Sequence, residues 1–186
     1  MAAETRRRGD TRSEIQRVAL SRFTNDGYDK TSLREIAEDL GVTKAALYYH
    51  FRTKESILES LVNDVGQSIT DLVGWVHSEP STRERRLEML RRLALLTQGG
   101  VGDLMRCVQQ NELSLGALPG TVEIVHRYKD ELWRACTPPG ATLEDRLRAR
   151  VAIMTILVAN KGADDLGGTD SERTETALRI ASDVMP

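Results

Sequence analysis

The chain has 186 residues, of which 40% are apolar, and a formal net charge of −2. This length and composition allow a buried core in one domain, or in a small domain fused to a larger one. No stretch provides the roughly 20 consecutive apolar residues that a membrane-spanning helix needs, and the first residues lack the apolar core of a signal peptide. We therefore expect a cytoplasmic protein without a membrane partner. The two cysteines, which have no CxxC spacing, are expected to be reduced core residues.

The charge is distributed unevenly along the chain. Residues 1–54 hold 11 Lys and Arg against 8 Asp and Glu, whereas residues 55–186 hold 15 against 20. A modest positive surplus suits a segment that meets nucleic acid, since phosphate contacts position a protein on a duplex while base contacts specify the sequence. We predict two domains with these boundaries, 1–54 and 55–186.

The first helical pattern is predicted to begin at a cap formed by Thr11 or Ser13 and to stop at the run Asn25, Asp26 and Gly27. Its apolar residues recur at helical spacing, so this helix is expected to support the next two. The arginines that precede it, Arg6–Arg8, are interpreted either as a disordered arm that touches phosphate or as a solvated tail.

The second and third helical patterns are separated by a very short turn. Ser32, with Glu35 three residues later, forms a capping-box signature at the start of the second helix. Gly41 supplies the left-handed backbone that ends this helix, and Thr43 can cap the next one. This layout is typical of a helix-turn-helix, whose second helix faces the major groove of DNA. The outer surface of that helix is predicted to carry Lys44, Ala45, Tyr48 and Tyr49.

Six further helical patterns follow, beginning with a long fourth helix that Thr53 is predicted to cap. Breaks rich in Pro and Gly separate the others, and no β pattern or internal repeat occurs. The later helices are predicted at about residues 87–99, 102–115, 121–136, 143–161 and 171–185. The chain is thus predicted to be all-α, with about nine helices.

The segments FTNDGYDKTSLREIAEDLGV and TKAALYYHFRTKESIL carry a more specific pattern. Across roughly residues 12–60 they resemble the DNA-binding domain of the TetR family of bacterial transcriptional regulators. The resemblance implies an N-terminal three-helix DNA-binding domain and a larger C-terminal helical regulatory and dimerisation domain. The remaining two thirds resembles the family only in being helical and of suitable length. The matching positions are Phe23, Gly27, Tyr28, Thr31, Ile36, Ala37, Gly41, Val42, Leu47, Tyr48, His50, Phe51, Lys54 and Leu58.

The resemblance also implies roles on double-stranded DNA. Tyr49, His50 and Lys54 resemble contacts to phosphate, whereas the residues before them on the third helix resemble groove-facing positions. Arg34 is a further candidate for a base edge, because a guanidinium matches guanine O6 and N7 bidentately. The expected DNA-binding set is Ser32, Arg34, Thr43, Lys44, Ala45, Tyr48, Tyr49, His50 and Lys54.

In the resembled family, the later helices surround a cavity for a small-molecule effector. Methionine-rich linings adapt to small ligands, and a few polar groups among them orient the ligand. Because only 4% of residues are aromatic, we expect an aliphatic or small effector. The expected lining is Met89, Leu93, Met105, Gln109, Glu112, His126, Trp133 and Met154.

The eighth helical pattern is apolar around most of its circumference, which is more than one core face requires. In the resembled family the last two helices form a four-helix dimer bundle, and a two-fold partner suits a palindromic operator. The alternative is a central helix in a monomeric bundle. The expected homodimer interface is Leu147, Val151, Leu157, Val158 and Ile180.

The expected function is that of a repressor which a small ligand releases from DNA by a rigid-body movement. The alternatives are an activator of the same fold, a DNA binder without an effector and, remotely, a helical-bundle enzyme. Glu123 and His126 have the spacing of half a di-iron carboxylate site, but no second Glu-x-x-His occurs. We therefore expect no metal, no other cofactor and no catalytic residue.

Overall fold

The computed structural model describes residues 2–111, 121–160 and 166–186, without the side chains of residues 2–10, 109 and 121–125. Every regular element in this part of the chain is a helix, which confirms the predicted all-α class. The nine helices of the described residues are α1 (Ala2–Asn25), α2 (Leu33–Asp39), α3 (Lys44–His50), α4 (Lys54–His77), α5 (Arg83–Thr97), α6 (Gly100–Gln110), α7 (Thr121–Cys136), α8 (Leu143–Val158) and α9 (Asp170–Val184).

Most predicted helix bounds agree with the structure within a few residues, but the predicted start of α1 was wrong. The helix begins at Ala2 rather than at Thr11 or Ser13. Ala, Glu and Arg dominate the first residues and all favour a helix, so the backbone continues through the predicted caps. Arg6–Arg8 therefore belong to a helix and not to a disordered arm.

The chain divides into two compact units. Among the described residues, the first lies within Met1–Asp64 and Asp103–Val122, and the second lies within Val65–Gly102 and Glu123–Pro186. Both α4 and α6 contribute residues to each unit. The domain boundary that the sequence suggested, after residue 54, stays a prediction.

Buried side chains from α1 to α4 form the core of the first unit. Two hydrogen bonds between α1 and α4 support this core. The buried Gln16 on α1 donates to Ser60 Oγ at 2.7 Å and to Asp64 Oδ2 at 2.6 Å on α4. These bonds satisfy side chains that would otherwise be costly to bury. The largest fully buried residues of the unit are Ile15, Phe23, Ile36, Leu47, Ile57 and Leu58.

The second unit is a helical bundle in which α8 and α9 pack against each other and both pack against α5. The buried Arg86 on α5 donates to the Pro186 carbonyl at 2.7 Å, which fixes the chain after α9. None of the described helices is long and apolar enough to cross a membrane. The buried cluster of the unit includes Ile69, Leu72, Val76, Met89, Leu90, Leu93, Leu132, Cys136, Ile153 and Ile156.

Candidate nucleic-acid interface

The turn between α2 and α3 is set by the residues that the sequence singled out. The Ser32 hydroxyl accepts the Glu35 backbone N–H at 3.3 Å, and the Glu35 carboxylate accepts the Ser32 N–H at 2.8 Å, so the capping box is present. Gly41 has φ of +63°, a left-handed conformation that side chains disfavour. Thr43 then caps α3 by accepting the Ala46 N–H at 3.2 Å. The structure thus confirms these predicted caps.

Hydrogen bonds from Ser32 keep the Glu35 side chain ionised. The Ser32 hydroxyl, followed by the Ser32 backbone N–H, lowers the pKa of the Glu35 carboxyl group below its ordinary value. The capping box therefore contributes stability at neutral pH, and this contribution is lost as the pH falls through the lowered pKa.

One side of α3 is buried and the other is exposed. Leu47 is fully buried and Phe51, directly after the helix, is almost fully buried. Tyr48 and Tyr49 are 41% and 64% exposed, and the Lys44 Nζ lies 5.4 Å from the centroid of the Tyr48 ring. We call the exposed side of α3 the recognition surface, and it consists of Thr43, Lys44, Ala45, Tyr48 and Tyr49.

His50 lies at the end of the recognition surface, where it is half-buried. Its ring packs edge-on against Tyr49, with 5.3 Å between the ring centroids. The contact holds both rings, which belong to two of the expected phosphate contacts, at the C-terminal end of α3.

Arg34 is exposed on the first turn of α2 and has a partner there. Its Nε donates to Glu38 Oε1 at 2.7 Å, four residues further along the helix. An exposed pair of this kind is weak because water screens both charges. The guanidinium can therefore exchange Glu38 for a base edge at little cost.

Lys54 has a structural role in addition to the predicted one. Its Nζ donates to the Tyr28 carbonyl oxygen at 2.8 Å and lies 4.3 Å from the centroid of the Tyr28 ring. The ammonium thus holds the loop that leads into α2. Its predicted phosphate contact stays a prediction, and any substitution of Lys54 also affects this loop.

The sequence interpretation missed two residues of this unit. Arg52, next to α3, is exposed and has no ion-pair or hydrogen-bond partner among the described residues. A basic residue between Phe51 and Lys54 could have been predicted from the sequence as a phosphate contact. Asn111 was also missed, because nothing in its local sequence indicates that it bonds to the α1–α2 loop.

The residues predicted to line an effector cavity have different environments in the structure. Met89 and Leu93 are fully enclosed in the core of the second unit, whereas His126 and Met154 are exposed. Met105 is half-buried and belongs to the first unit. Their role in binding an effector stays a prediction. Outside the described residues or side chains lie Gln109 and Glu112.

Trp133 is the predicted cavity residue that lines an open groove of about 680 Å³ in the second unit. The groove lies at the end of α7, the α7–α8 loop and the first half of α8. Its charged residues were not singled out from the sequence, because they come from two helices and only the fold brings them together. Its lining is Asp130, Trp133, Arg134, Thr137, Pro138, Gly140, Ala141, Arg146 and Arg150.

Large apolar side chains form an exposed stripe along α8. Leu147 and Val151 are 53% and 51% exposed, and Met154 and Val158 are each 38% exposed. Ile180 on α9 is exposed as well, whereas Leu157 is only half-buried and packs against the core of the unit. We call Leu147, Val151, Met154 and Val158 the α8 stripe.

Groups of His, Cys, Asp and Glu suited to a metal ion do not occur among the residues that the structure describes. Glu123, half of the motif considered above, lies outside the described side chains, and His126 is exposed.

Cys107 and Cys136 are both buried, as predicted. Burial raises the pKa of Cys107 to about 11 and that of Cys136 to about 12, so both thiols are protonated at neutral pH.

The chain is similar in sequence to known proteins over part of its length. Residues 15–61 match the family profile described as bacterial regulatory proteins, tetR family. The nucleoid occlusion factor SlmA of Aliivibrio fischeri is 32% identical over 92 residues, which cover 49% of this chain and 47% of that protein. The HTH-type transcriptional regulator AcrR of Shigella flexneri is 40% identical over 62 residues, covering 33% and 29%. The chain thus spans less than half the length of these curated relatives.

The similarity in fold extends over most of the chain. AmtR of Mycobacterium smegmatis has a TM-score of 0.67 and 22% identity, over 92% of this chain and 86% of that chain. The shared fold therefore includes the second unit, which lies outside the matched profile.

Proposed function

Because this chain belongs to the TetR family of bacterial regulatory proteins, we propose that it is a sequence-specific DNA-binding repressor that a small molecule releases from DNA. The observation that carries the proposal is the recognition surface, where a lysine and two tyrosines are exposed opposite the buried Leu47. A short helix that is anchored on one side and aromatic and basic on the other is suited to enter a major groove.

The centre of the recognition surface contacts DNA bases, and the residues at its edge contact the DNA backbone. Lys44 and Tyr48 lie on the first two turns of α3 and contact base edges, since the N-terminal part of a recognition helix reaches deepest into the groove. Tyr49, His50 and Lys54 lie further along and contact phosphate. We add Arg52 to the phosphate contacts because its guanidinium is exposed beside them.

Dimerisation through α8 and α9 brings two recognition helices to one operator. The members of the α8 stripe recur at intervals of four, three and four residues, which is the spacing of a helix that packs against another helix. Exposed aliphatic side chains in this pattern lose contact with water when a second copy covers them. The resulting two-fold symmetry fits a palindromic operator.

Release requires that the effector binds the DNA-free conformation better than the DNA-bound one. The α4 helix runs without interruption from Lys54 to His77 and contributes residues to both units. A ligand that moves the later part of α4 changes the separation of the two recognition helices in the dimer. Operator half-sites demand a separation of about 34 Å, so a modest shift weakens binding.

Selection of binding sites from a random pool of duplexes tests the DNA-binding proposal. We expect enrichment of a palindrome whose affinity falls as salt increases, because phosphate contacts release counterions. The double variant Lys44→Ala, Tyr49→Ala should lose the enrichment, whereas Arg91→Ala, an exposed change on α5, should retain it. Failure of the wild-type protein to enrich any sequence would contradict the proposal.

Transcription in vitro distinguishes a repressor from the alternatives. A template that carries the selected palindrome over its promoter should be silenced by the protein. An activator of the same fold would bind the same palindrome and raise transcription. A DNA binder without an effector would silence the template and show no response to any metabolite in a screen.

A further inference from the structure

The groove at the junction of α7 and α8 concentrates positive charge that the protein does not neutralise. Arg134 and Arg150 are exposed in its lining, and neither has a carboxylate or hydrogen-bond partner among the described residues. Two other arginines of the second unit do have such partners, since Arg148 pairs with Glu144 and Arg173 pairs with Asp170. The groove therefore holds two guanidinium groups whose hydrogen-bond donors are unused.

The indole of Trp133 adds a further unused donor. Its Nε1 is buried and has no acceptor among the described residues. The Arg150 guanidinium carbon lies 4.5 Å from the ring centroid and the Lys129 Nζ lies 5.3 Å from it. A buried N–H without an acceptor is unfavourable, so an acceptor brought to this position would be bound favourably.

The remaining charged groups of the lining leave a positive balance. Arg146 donates to the Ala141 carbonyl at 2.8 Å and keeps its full charge. Asp130 is the acid among the lining residues, so three guanidinium groups face one carboxylate. The groove measures about 680 Å³, which lies in the range of small-molecule sites.

We propose that this groove binds a small anion with a carboxylate or phosphate group, held by Arg134 and Arg150 and accepting the indole N–H of Trp133. Guanidinium groups present planar pairs of N–H donors that match carboxylate and phosphate oxygens. Arg150 is exposed, so its guanidinium can turn from the indole ring to the anion. The proposal concerns binding and does not depend on any effect on DNA.

Titration of the ¹⁵N-labelled full-length protein tests the proposal by NMR. The chain has two tryptophans, so two indole N–H signals are expected, and the Trp133→Phe variant assigns them. Inorganic phosphate and succinate serve as probes, with chloride at equal ionic strength as the reference. We expect a saturable shift of the Trp133 signal and an unchanged Trp75 signal with at least one probe. A shift that chloride reproduces, or no saturable shift with either probe, would overturn the proposal.

Substitutions test which groups hold the anion. Arg134→Gln and Arg150→Gln should each weaken the binding of the responding probe by about 10-fold or more, as expected for a charged hydrogen bond. Arg179→Gln, an exposed change on α9, is the matched control and should leave affinity unchanged. Equal affinity in all three variants would refute the site.

Substitution of Asp130 should change the affinity for the anion in the opposite direction from the arginine substitutions. Asp130→Asn removes the negative charge of the lining and should tighten the binding of either probe. Weaker binding after Asp130→Asn would contradict an anion in the groove.

The two probes also distinguish the ligand classes. Saturation by succinate alone indicates an organic acid, and saturation by phosphate alone indicates a phosphate ester.

Discussion

The side chain of Asn111 holds the backbone of Tyr28, from which it is 83 residues distant in the sequence. Asn111 Oδ1 accepts the Tyr28 N–H at 2.7 Å, and its Nδ2 donates to the Phe23 carbonyl at 2.8 Å. All of these groups lie in the first unit, where Asn111 directly follows α6. The residue after α6 thus fixes the turn between α1 and α2 that precedes the helix-turn-helix.

Asn111→Ala should lower the free energy of unfolding by about 1–3 kcal/mol, because it leaves the buried Tyr28 N–H without its acceptor. Urea unfolding followed by circular dichroism measures the change. Gln110→Ala, an exposed change in the preceding residue, is the matched control and should leave the midpoint almost unchanged. Equal midpoints for the two variants would show that the bond to Tyr28 contributes nothing.

Gly66 permits close packing inside the second unit. A Cβ at this position would lie 1.9 Å from Tyr128 Oη, so Gly66→Ala forces the tyrosine ring to move. We expect a loss of about 1–3 kcal/mol from overpacking. Gly74→Ala on the same helix meets no atom within 4 Å and should stabilise the protein by about 0.5–1 kcal/mol.

The Tyr128→Ala background tests the cause of the Gly66 effect. Without the ring, Gly66→Ala should cost much less in thermal or urea unfolding, since the clashing atoms are absent. An undiminished cost would assign the effect to the α4 backbone and not to the tyrosine.

Substitutions of Arg52 and Lys54 distinguish a contact to phosphate from support of the loop between α1 and α2. Arg52→Ala should lower the slope of log affinity against log salt by about one unit without a change in unfolding midpoint. Lys54→Ala should lower the same slope and also the midpoint, because it removes the bond to the Tyr28 carbonyl. Fluorescence anisotropy with the selected operator and urea unfolding provide the two measurements. A Lys54→Ala variant with normal stability would contradict the structural role.

Val158→Glu tests the proposed dimer. The substitution places a carboxylate in the α8 stripe, where a partner copy would bury it without a counter-charge, and should weaken association by about 3 kcal/mol or more. Sedimentation equilibrium measures the change. Leu95→Glu is the matched control, because Leu95 is an exposed aliphatic residue of α5 outside the stripe. A wild-type monomer at micromolar concentration, or a variant that associates as tightly as wild type, would rule out this interface.

The buried thiols predict a loss of stability at alkaline pH. Burial raises the pKa of Cys107 to about 11 and that of Cys136 to about 12, whereas an unperturbed thiol ionises near 9.0. Above that value the unfolded chain loses protons that the folded chain keeps, so stability falls as pH rises, by up to about 1.4 kcal/mol per pH unit and thiol.

Urea midpoints on either side of pH 9 measure this effect. The double variant Cys107→Ala, Cys136→Ala should be less stable overall but should show a smaller loss with rising pH. Tyr28, whose pKa burial also raises, contributes only above the ordinary tyrosine pKa of about 10. If the double variant lost stability with rising pH as steeply as the wild type, the thiols could not be the source of the loss.

Much of the first unit could be predicted because its signals are local. Ser32 with Glu35, Gly41 and Thr43 act on groups at most four residues away, so their effect on the chain is readable from spacing alone. The same holds for the exposed side of α3, which follows from the helical position of Leu47. The family profile matches this part of the chain, residues 15–61, where local signals are dense.

The tertiary structure decided the features that join distant parts of the sequence within each unit. The bond from Asn111 to Tyr28, and the close approach of Gly66 to Tyr128, both depend on how helices pack. The groove around Trp133 likewise needs a set angle between α7 and α8, and no spacing rule gives that angle. Periodicity determines which residues a helix buries, whereas the partners of those residues follow only from the packing of helices against one another.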